Sequence, residues 1–518
     1  MKTTTLIFTL LLILTGCSVK KPESDIQQKA TQTYAEPAFS DPASFERIKD
    51  FFPVVDKIFK DQMEKNHYPA ISFGIIANGQ LVYANSFGQS NLSDKTQAST
   101  QSLFRIASMS KSFTAMAILK LRDEGKLSLT DPVSKYIPEV SKAGAATTDA
   151  PPINIQHLLT MSAGFPEDNP WGDRQLADSD ADLLGLVSQG ISFSNAPGLT
   201  FEYSNLGFAL LGKIVTNVSG VPYQQYITDN IMKPIGMTNS QWEYEKVPRN
   251  KLALGYRWED NTWKEEPFLH DGSYGAMGGL ICSIDDYSKY VALHLSAWPS
   301  RNDAEAGPVR RSTLREMQQC SRLGALSSNA KNRQGEPCPV VGGYGYGLGW
   351  RMDCSGIVSI RHGGGLPGFG SEWRIYPDYG IGVVSFSNLT YGGPGQANAR
   401  ALDTLIQLAG LKSRVLPVSE ILKQRQGEIV KVIQGWEKDQ LGIFAENFFL
   451  DLSLEKWKAN ASKLFTVAGP VVKVLDLEPE NQLRGQFTIQ CEKKNINVFF
   501  TLTPEANPLI QQLDIWVE

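Results

Sequence analysis

Apolar and polar residues follow two periods along this chain, and the places where the period changes outline its elements. Residues 44–66 repeat at helical spacing, and 70–77 and 80–87 then read as two strands joined by Asn78-Gly79, a dipeptide that favours a tight hairpin turn. After Ser108, the residues Phe113, Met116, Ala117 and Leu121 make one helical face, and Gly125 follows as a stop. A second periodic apolar segment follows Tyr203 and Asn205 and runs through Val218. Strands are expected near 356–362, 370–376 and 381–387, with a helix over 396–410. Both ends of this stretch therefore supply strands while its middle supplies helices. The expected domain, 44–412, is an α/β sandwich: one antiparallel sheet with flanking helices, a helical lobe inserted, and a cleft between them. Past a hinge at 411–417 the order changes to helices near 419–434, 438–449 and 453–464, then strands near 470–477, 482–491, 495–503 and 508–517. Helices first and a meander after predict a separate small α+β domain, 418–518. It loosely resembles the nuclear-transport-factor-2-like fold, and Trp457, Phe465, Phe487, Phe499, Phe500 and Trp516 are read as its core.

The amino terminus has a different pattern. Met1-Lys2, an apolar run from Leu6 to Leu14 and the sequence Leu14-Thr-Gly-Cys17 resemble a bacterial lipoprotein signal. The run is far short of the ~20 apolar residues a spanning helix needs. Cleavage before Cys17 and its lipidation would anchor the chain to a membrane, facing the periplasm. Ser18 follows rather than the aspartate linked with inner-membrane retention, which leans the expectation towards the outer membrane. Residues 18–43 are polar and read as a tether. The net charge of −4, with 50 basic and 54 acidic residues dispersed among one another, makes nucleic acid a poor candidate partner.

Three short motifs carry the chemistry. Ser108-Met-Ser-Lys111 places a hydroxyl and an amine three residues apart, on one face of a helix start, where the lysine can take the serine proton. Tyr203-Ser-Asn205 sits at a loop-to-helix junction. His362-Gly363-Gly364-Gly365 ends a strand with Val358, Ile360 and His362 on one face, and its glycines let a substrate lie against backbone donors. In this order the set resembles the class C β-lactamase and penicillin-binding-protein superfamily, over roughly residues 45–412. Leu158–Gly164, Gly278–Leu280 and Tyr346–Trp350 are family-like as well.

The resemblance implies that Ser108 is the acylated nucleophile, Lys111 its activating neighbour and Tyr203 the proton shuttle. It further implies that Asn205 binds the substrate amide, that His362, Gly363 and Gly364 align the substrate, and that the N–H groups of Ser108 and Gly365 form the oxyanion hole. Relatives with histidine in place of the motif's lysine are more often peptidases for D-amino-acid peptides, or esterases, than β-lactamases. An unperturbed histidine would attract a substrate carboxylate weakly and in a pH-dependent way. A small peptide, ester or β-lactam substrate fits this set, and a non-catalytic cell-wall-fragment sensor is the reading of another class. Cell-wall contact is a further expectation for the C-terminal domain. No cofactor is implied. None of the five histidines stands four residues from another, and the cysteines form no C-x-x-C pair, so no metal site is expected. Besides Cys17 there are five cysteines, so at least one stays unpaired. Cys320 and Cys338 flank a polar loop that a bridge would close, the alternative being free thiols.

Overall fold

The computed structural model describes residues 34–332 and 335–518, so the signal segment, Cys17 and the tether up to residue 33 lie outside the described residues. The chain divides into Glu36–Leu416 and a second unit comprising Pro417–Glu518 with the stretch ending at Ala35.

The larger unit is built on a nine-stranded antiparallel sheet. Its strands are β1 (Ala70–Ala77), β2 (Gln80–Asn91), β3 (Thr96–Gln97), β4 (Arg322–Ser327), β5 (Val340–Tyr344), β6 (Gly349–Met352), β7 (Val358–Leu366), β8 (Phe369–Tyr376) and β9 (Ile381–Ser387), in the spatial order β3-β2-β1-β9-β8-β7-β6-β5-β4. The two chain ends meet where β1 pairs with β9, Ile71 opposite Ser387 and Ala77 opposite Ile381. The β1–β2 turn holds Asn78 at φ 47° and Gly79 at φ 75°, the left-handed pair that an Asn-Gly hairpin supplies at little strain.

Side chains alternate across β1, and each face has its own cover. Ile71, Phe73 and Ile75 join α1 (Phe52–Lys65) and α5 (Gly395–Leu408) in one core. The opposite face packs on α4 (Ile284–Ser296) and the helical lobe, which contains α2 (Lys111–Asp123) and α3 (Asn205–Ser219). The helix expected over 44–66 is split into a short helix, a 3₁₀ turn and α1, because Pro53 at the start of α1 has no N–H to continue the preceding turn. Helix α2 is buried nearly all round rather than along one stripe, as befits a helix through the middle of a lobe. Its Ser112 and Thr114 hydroxyls satisfy themselves on the carbonyls of Met109 and Ala276.

Strands β4, β5 and β6 extend the sheet through a Gly-rich region whose sequence gives little strand signal. They also redraw the disulfide. Cys338 bonds Cys354, while Cys320 is a free thiol, as are Cys282 and Cys491. The pairing of β5 with β6 sets Val341 opposite Met352, which brings Cys338 and Cys354 together at one end of the hairpin. Cys320 lies at the other end, next to where Arg322 pairs with Tyr344, about 20 Å of strand away. The Cys320–Cys338 expectation is therefore corrected.

The second unit packs α6 (Glu420–Gly435) and α7 (Leu454–Ala468) on a five-stranded sheet: β10 (Val471–Val474), β11 (Glu478–Asn481), β12 (Arg484–Cys491), β13 (Ile496–Leu502) and β14 (Ile510–Val517). Of the strand expected over 470–477 only β10 forms, and a short strand not expected, β11, follows it; both pair with β12. The helix expected over 438–449 is only a 3₁₀ turn, Lys438–Ile443, and a short helix, Phe448–Asp451. Between them the Ala445 N–H is drawn to the carbonyl of Ile510. Phe487 and Phe500 are core as expected, whereas Trp516 is 40% exposed.

Candidate active site

Ser108 lies in a 3₁₀ turn, Ala107–Ser110, that runs directly into α2. In this tighter turn residues three apart eclipse, so Lys111 stands beside Ser108 with its Nζ 3.0 Å from Oγ. The turn is entered through Ala107 at φ 52°, a left-handed conformation uncommon for alanine. Its neighbours hold that strain in place. Ser110 Oγ donates to the Ala107 carbonyl (2.8 Å) and accepts from Leu280 N (3.1 Å), while Ser371 Oγ donates to the Ile106 carbonyl (2.7 Å).

Lys111 is fully buried. Besides Ser108, its Nζ donates to Asn205 Oδ1 at 2.7 Å and to the Met277 carbonyl at 2.9 Å. Burial pushes its amine down to about 7, against the opposing fields of Asp173 and Asp168. A lysine so placed can lose its proton near neutrality and then accept one from Ser108.

Asn205 has a different task from the one the motif implied. It opens α3 behind the N-cap Ser204, is fully buried, and gives its amide oxygen to Lys111 and its amide nitrogen to Asn169 Oδ1 (3.2 Å). Asn205 thus orients the lysine rather than facing a substrate. The Asp168 carboxylate accepts the backbone N–H groups of Asn205 (2.6 Å) and Leu206 (2.9 Å) at the positive end of α3, and so fixes this junction. The stretch before it is held by Met161, whose carbonyl accepts Glu202 N at 2.8 Å.

Tyr203 is half-buried, with its ring centroid 4.9 Å from Lys111 Nζ, and it lines the same cavity as Ser108. Burial raises its phenol, which stays protonated and can pass a proton without serving as an anion.

His362 is buried and held at both nitrogens: Nδ1 donates to the Gly363 carbonyl (2.6 Å) and Nε2 accepts the Tyr344 hydroxyl (2.9 Å). Burial, helped by the Lys111 charge, pushes it down to about 3. The expected pH-dependent attraction for a carboxylate is thereby corrected, because this imidazole is neutral across the ordinary pH range.

The three glycines differ. A Cβ on Gly364 would lie 2.3 Å from both the Ile106 carbonyl and Ser371 Oγ, so this residue lets β7 cross directly behind the nucleophile turn. A Cβ on Gly365 would press on the Tyr391 ring at 2.9 Å, whereas Gly363 has only an ordinary contact at 3.8 Å. β6 accompanies β7 only as far as Arg361, which leaves the edge at 362–366 open to the cleft.

Ser108, Tyr203, His362, Gly363 and Gly365 line one cavity of 860 Å³, with Asp173 and Tyr391 also on its wall. The Ser108 N–H belongs to the first helical turn, whose donors have no intrahelical acceptor. Asp173 is buried, pushed up to about 6 by that burial, and accepts from Asn205 Nδ2 at 3.5 Å. Sequence reasoning missed Asp168, Asp173, Tyr344 and the Met277 carbonyl. Each acts across a long sequence separation and leaves no local pattern. Away from the cleft, Glu243, Glu245 and His270 bring ligand-type atoms within 4.8 Å of one another, an arrangement that the 2.9 Å His270–Glu243 contact accounts for.

A family model described as Beta-lactamase matches residues 55–407. Protein flp of Staphylococcus aureus (strain N315) is 29% identical over 341 residues, covering 65% of this chain and 62% of its own length. Beta-lactamase-like protein 2 of Dictyostelium discoideum is 30% identical over 264 residues, 50% of this chain and 48% of its own. The chain thus spans less than two thirds of these relatives. Among solved structures, the octameric penicillin-binding protein homologue from Pyrococcus abyssi matches with a TM-score of 0.58 at 22% identity, over 90% of this chain and 98% of that one. EstCE1, described as a hydrolase with promiscuous acyltransferase activity, matches at 0.56 and 20%, over 69% and 99%. At these identities the solved structures speak for the fold.

Proposed function

The chain belongs to the Beta-lactamase family, whose members are serine hydrolases, and we propose that it acylates Ser108 on an amide or ester and releases the product to water. The observation that carries this reading is the buried Lys111 amine, 3.0 Å from Ser108 Oγ and pushed down to about 7. In the proposed step the Ser108 proton passes to neutral Lys111 while Oγ bonds to the substrate carbonyl carbon. The resulting oxyanion rests on the N–H groups of Ser108 and Gly365. As the tetrahedral centre collapses, the leaving group departs with the proton returned through Lys111 and Tyr203. Water then attacks the acyl carbon, and Ser108 recovers its proton.

The favoured substrates are D-amino-acid-containing peptides or peptidoglycan fragments, because the motif carries histidine in place of lysine. Esters use the same acyl-enzyme chemistry, and β-lactams rank below both. A lipid anchor at Cys17, facing the periplasm, is the location the first seventeen residues support. For the C-terminal unit we propose cell-wall contact.

Intact mass after exposure to benzylpenicillin tests the nucleophile. The expected result is a one-equivalent adduct on the wild type and none on Ser108→Ala, lasting for a peptidase-like enzyme and transient with drug consumed for a β-lactamase. Lys111→Ala and Tyr203→Phe should each slow acylation at least ~10²-fold. Equal turnover of amides and esters by wild type and Ser108→Ala would sink the proposal and revive the sensor reading.

A further inference from the structure

The cavity that holds Ser108 carries its positive charge in an unexpected place. His362 is neutral, and Lys111 is enclosed behind Ser108. The cations on the cavity wall, among the described residues, are Arg351 on β6 and Arg361 on β7. Neither side chain has a hydrogen-bond or ion-pair partner among the described residues, and neither is enclosed, so both are free to take an anion. The nearest acid on the strand next to Arg361 is Glu372, and it is spent. Arg374 donates to its Oε1 from Nη2 at 2.8 Å and from Nε at 3.2 Å, and Asn398 donates to its other oxygen. Arg361 lies directly opposite Arg374 in the β7–β8 register, so a cation rather than an anion faces it across the strands. Arg361 is itself exposed at this edge. Among the described residues the one acid on the cavity wall is Asp173, which is buried and accepts from Asn205 Nδ2 at 3.5 Å.

The placement explains how these arginines reach the site. Arg361, His362 and Gly363 are consecutive on a strand, so they point to alternate faces. All three nonetheless line the same cavity, because it wraps around the edge of β7 where β6 has ended. The wall beyond that edge is Gly342 and Gly343 of β5 with Gly324 and Ala325 of β4, small residues that leave room beside the two guanidinium groups.

We infer that Arg351 and Arg361 form an anion subsite that selects substrates bearing a carboxylate remote from the scissile bond, supplied either by an acidic side chain or by a free chain terminus. The planar fork of a guanidinium matches the two oxygens of a carboxylate. This inference rests on the hydrolase reading for its catalytic consequence, but not for binding.

Two experiments test it separately. First, titrations of the wild type with N-acetylisoglutamine, N-acetylglutamine and N-acetylglutamine amide compare a side-chain carboxylate, a terminal carboxylate and neither. One of the first two should bind at least about tenfold tighter than the neutral diamide, and which one identifies the source. Arg351→Gln and Arg361→Gln should each abolish the difference, and Arg361→Lys should restore part of it. Second, p-nitrophenyl hydrogen glutarate should be turned over with a lower KM than p-nitrophenyl butyrate. Arg361→Gln should remove that preference while leaving the neutral ester's kcat unchanged, which also shows that the variant is folded. Equal binding of all three amides by the wild type, or a carboxylate preference that survives both arginine substitutions, overturns the inference. If the neutral ester is not hydrolysed at all, the hydrolase reading fails, and the titrations still decide the subsite.

Discussion

Lys111 shows how a single residue is made reactive by what surrounds it. Removing an amine from water favours its neutral form, and the carboxylates of Asp173 and Asp168 limit how far the shift goes. Below about pH 7 the group is an ammonium and cannot accept the Ser108 proton; above it, it can. Acylation should therefore rise with pH through a midpoint near 7. Asp173→Asn removes a charge that favours the ammonium, so the same limb should move to lower pH, as read in a pH profile of acylation rate. An unmoved limb would mean that another group sets it. The glycines offer a second contrast. Gly364→Ala puts a methyl 2.3 Å from backbone and hydroxyl oxygens, an overpacking that costs about 1–3 kcal/mol and should lower Tm by several degrees. Gly363→Ala meets nothing closer than 3.8 Å, so its Tm should hold while kcat/KM falls from crowding at the cleft edge.

At the scale of elements, the active site depends on where strands begin and end. β6 stops pairing at Arg361, and the open edge of β7 beyond it is what a substrate can approach. The hairpin β5–β6 that sets this stopping point is closed at its far end by Cys338–Cys354, 16 residues apart. A bridge over a loop of that length contributes on the order of 3 kcal/mol. Cys354→Ser should destabilise the larger unit by up to that amount, seen as a lower midpoint in denaturant, and the wild type in reducing buffer should lose the same amount. Cys320→Ser should leave the midpoint unchanged under oxidising conditions, since Cys320 takes no part in the bridge.

At the scale of the whole molecule, the hydrophobic cores respect the boundary between the units. Among the described residues, three core clusters are drawn from Ile48 to Leu411 and a fourth from Leu422 to Leu513, with no buried residue shared. The chain truncated after Leu416 should therefore unfold cooperatively and keep its acylation rate within about twofold; loss of either on truncation would show that Pro417–Glu518 completes the catalytic unit. The sequence by itself determined the elements with strong local signals. Asn78-Gly79 allows few turns other than the one found, and the short apolar runs over 70–77 and 381–387, rich in Ile, Val and Phe, marked two strands buried on both faces. It also determined the Ser108–Lys111 pair, because residues three apart are neighbours in any helical turn. Tertiary structure decided what these residues do. The low proton affinity of Lys111, the neutrality of His362 beneath Tyr344, and the turning of Asn205 from substrate to lysine all come from groups far away in sequence. Cys338 found Cys354 rather than Cys320 for the same reason: strand register, which chain spacing does not encode, set the distance between them. Burial and charge at a point are sums over the folded neighbourhood, and only the fold assembles that neighbourhood.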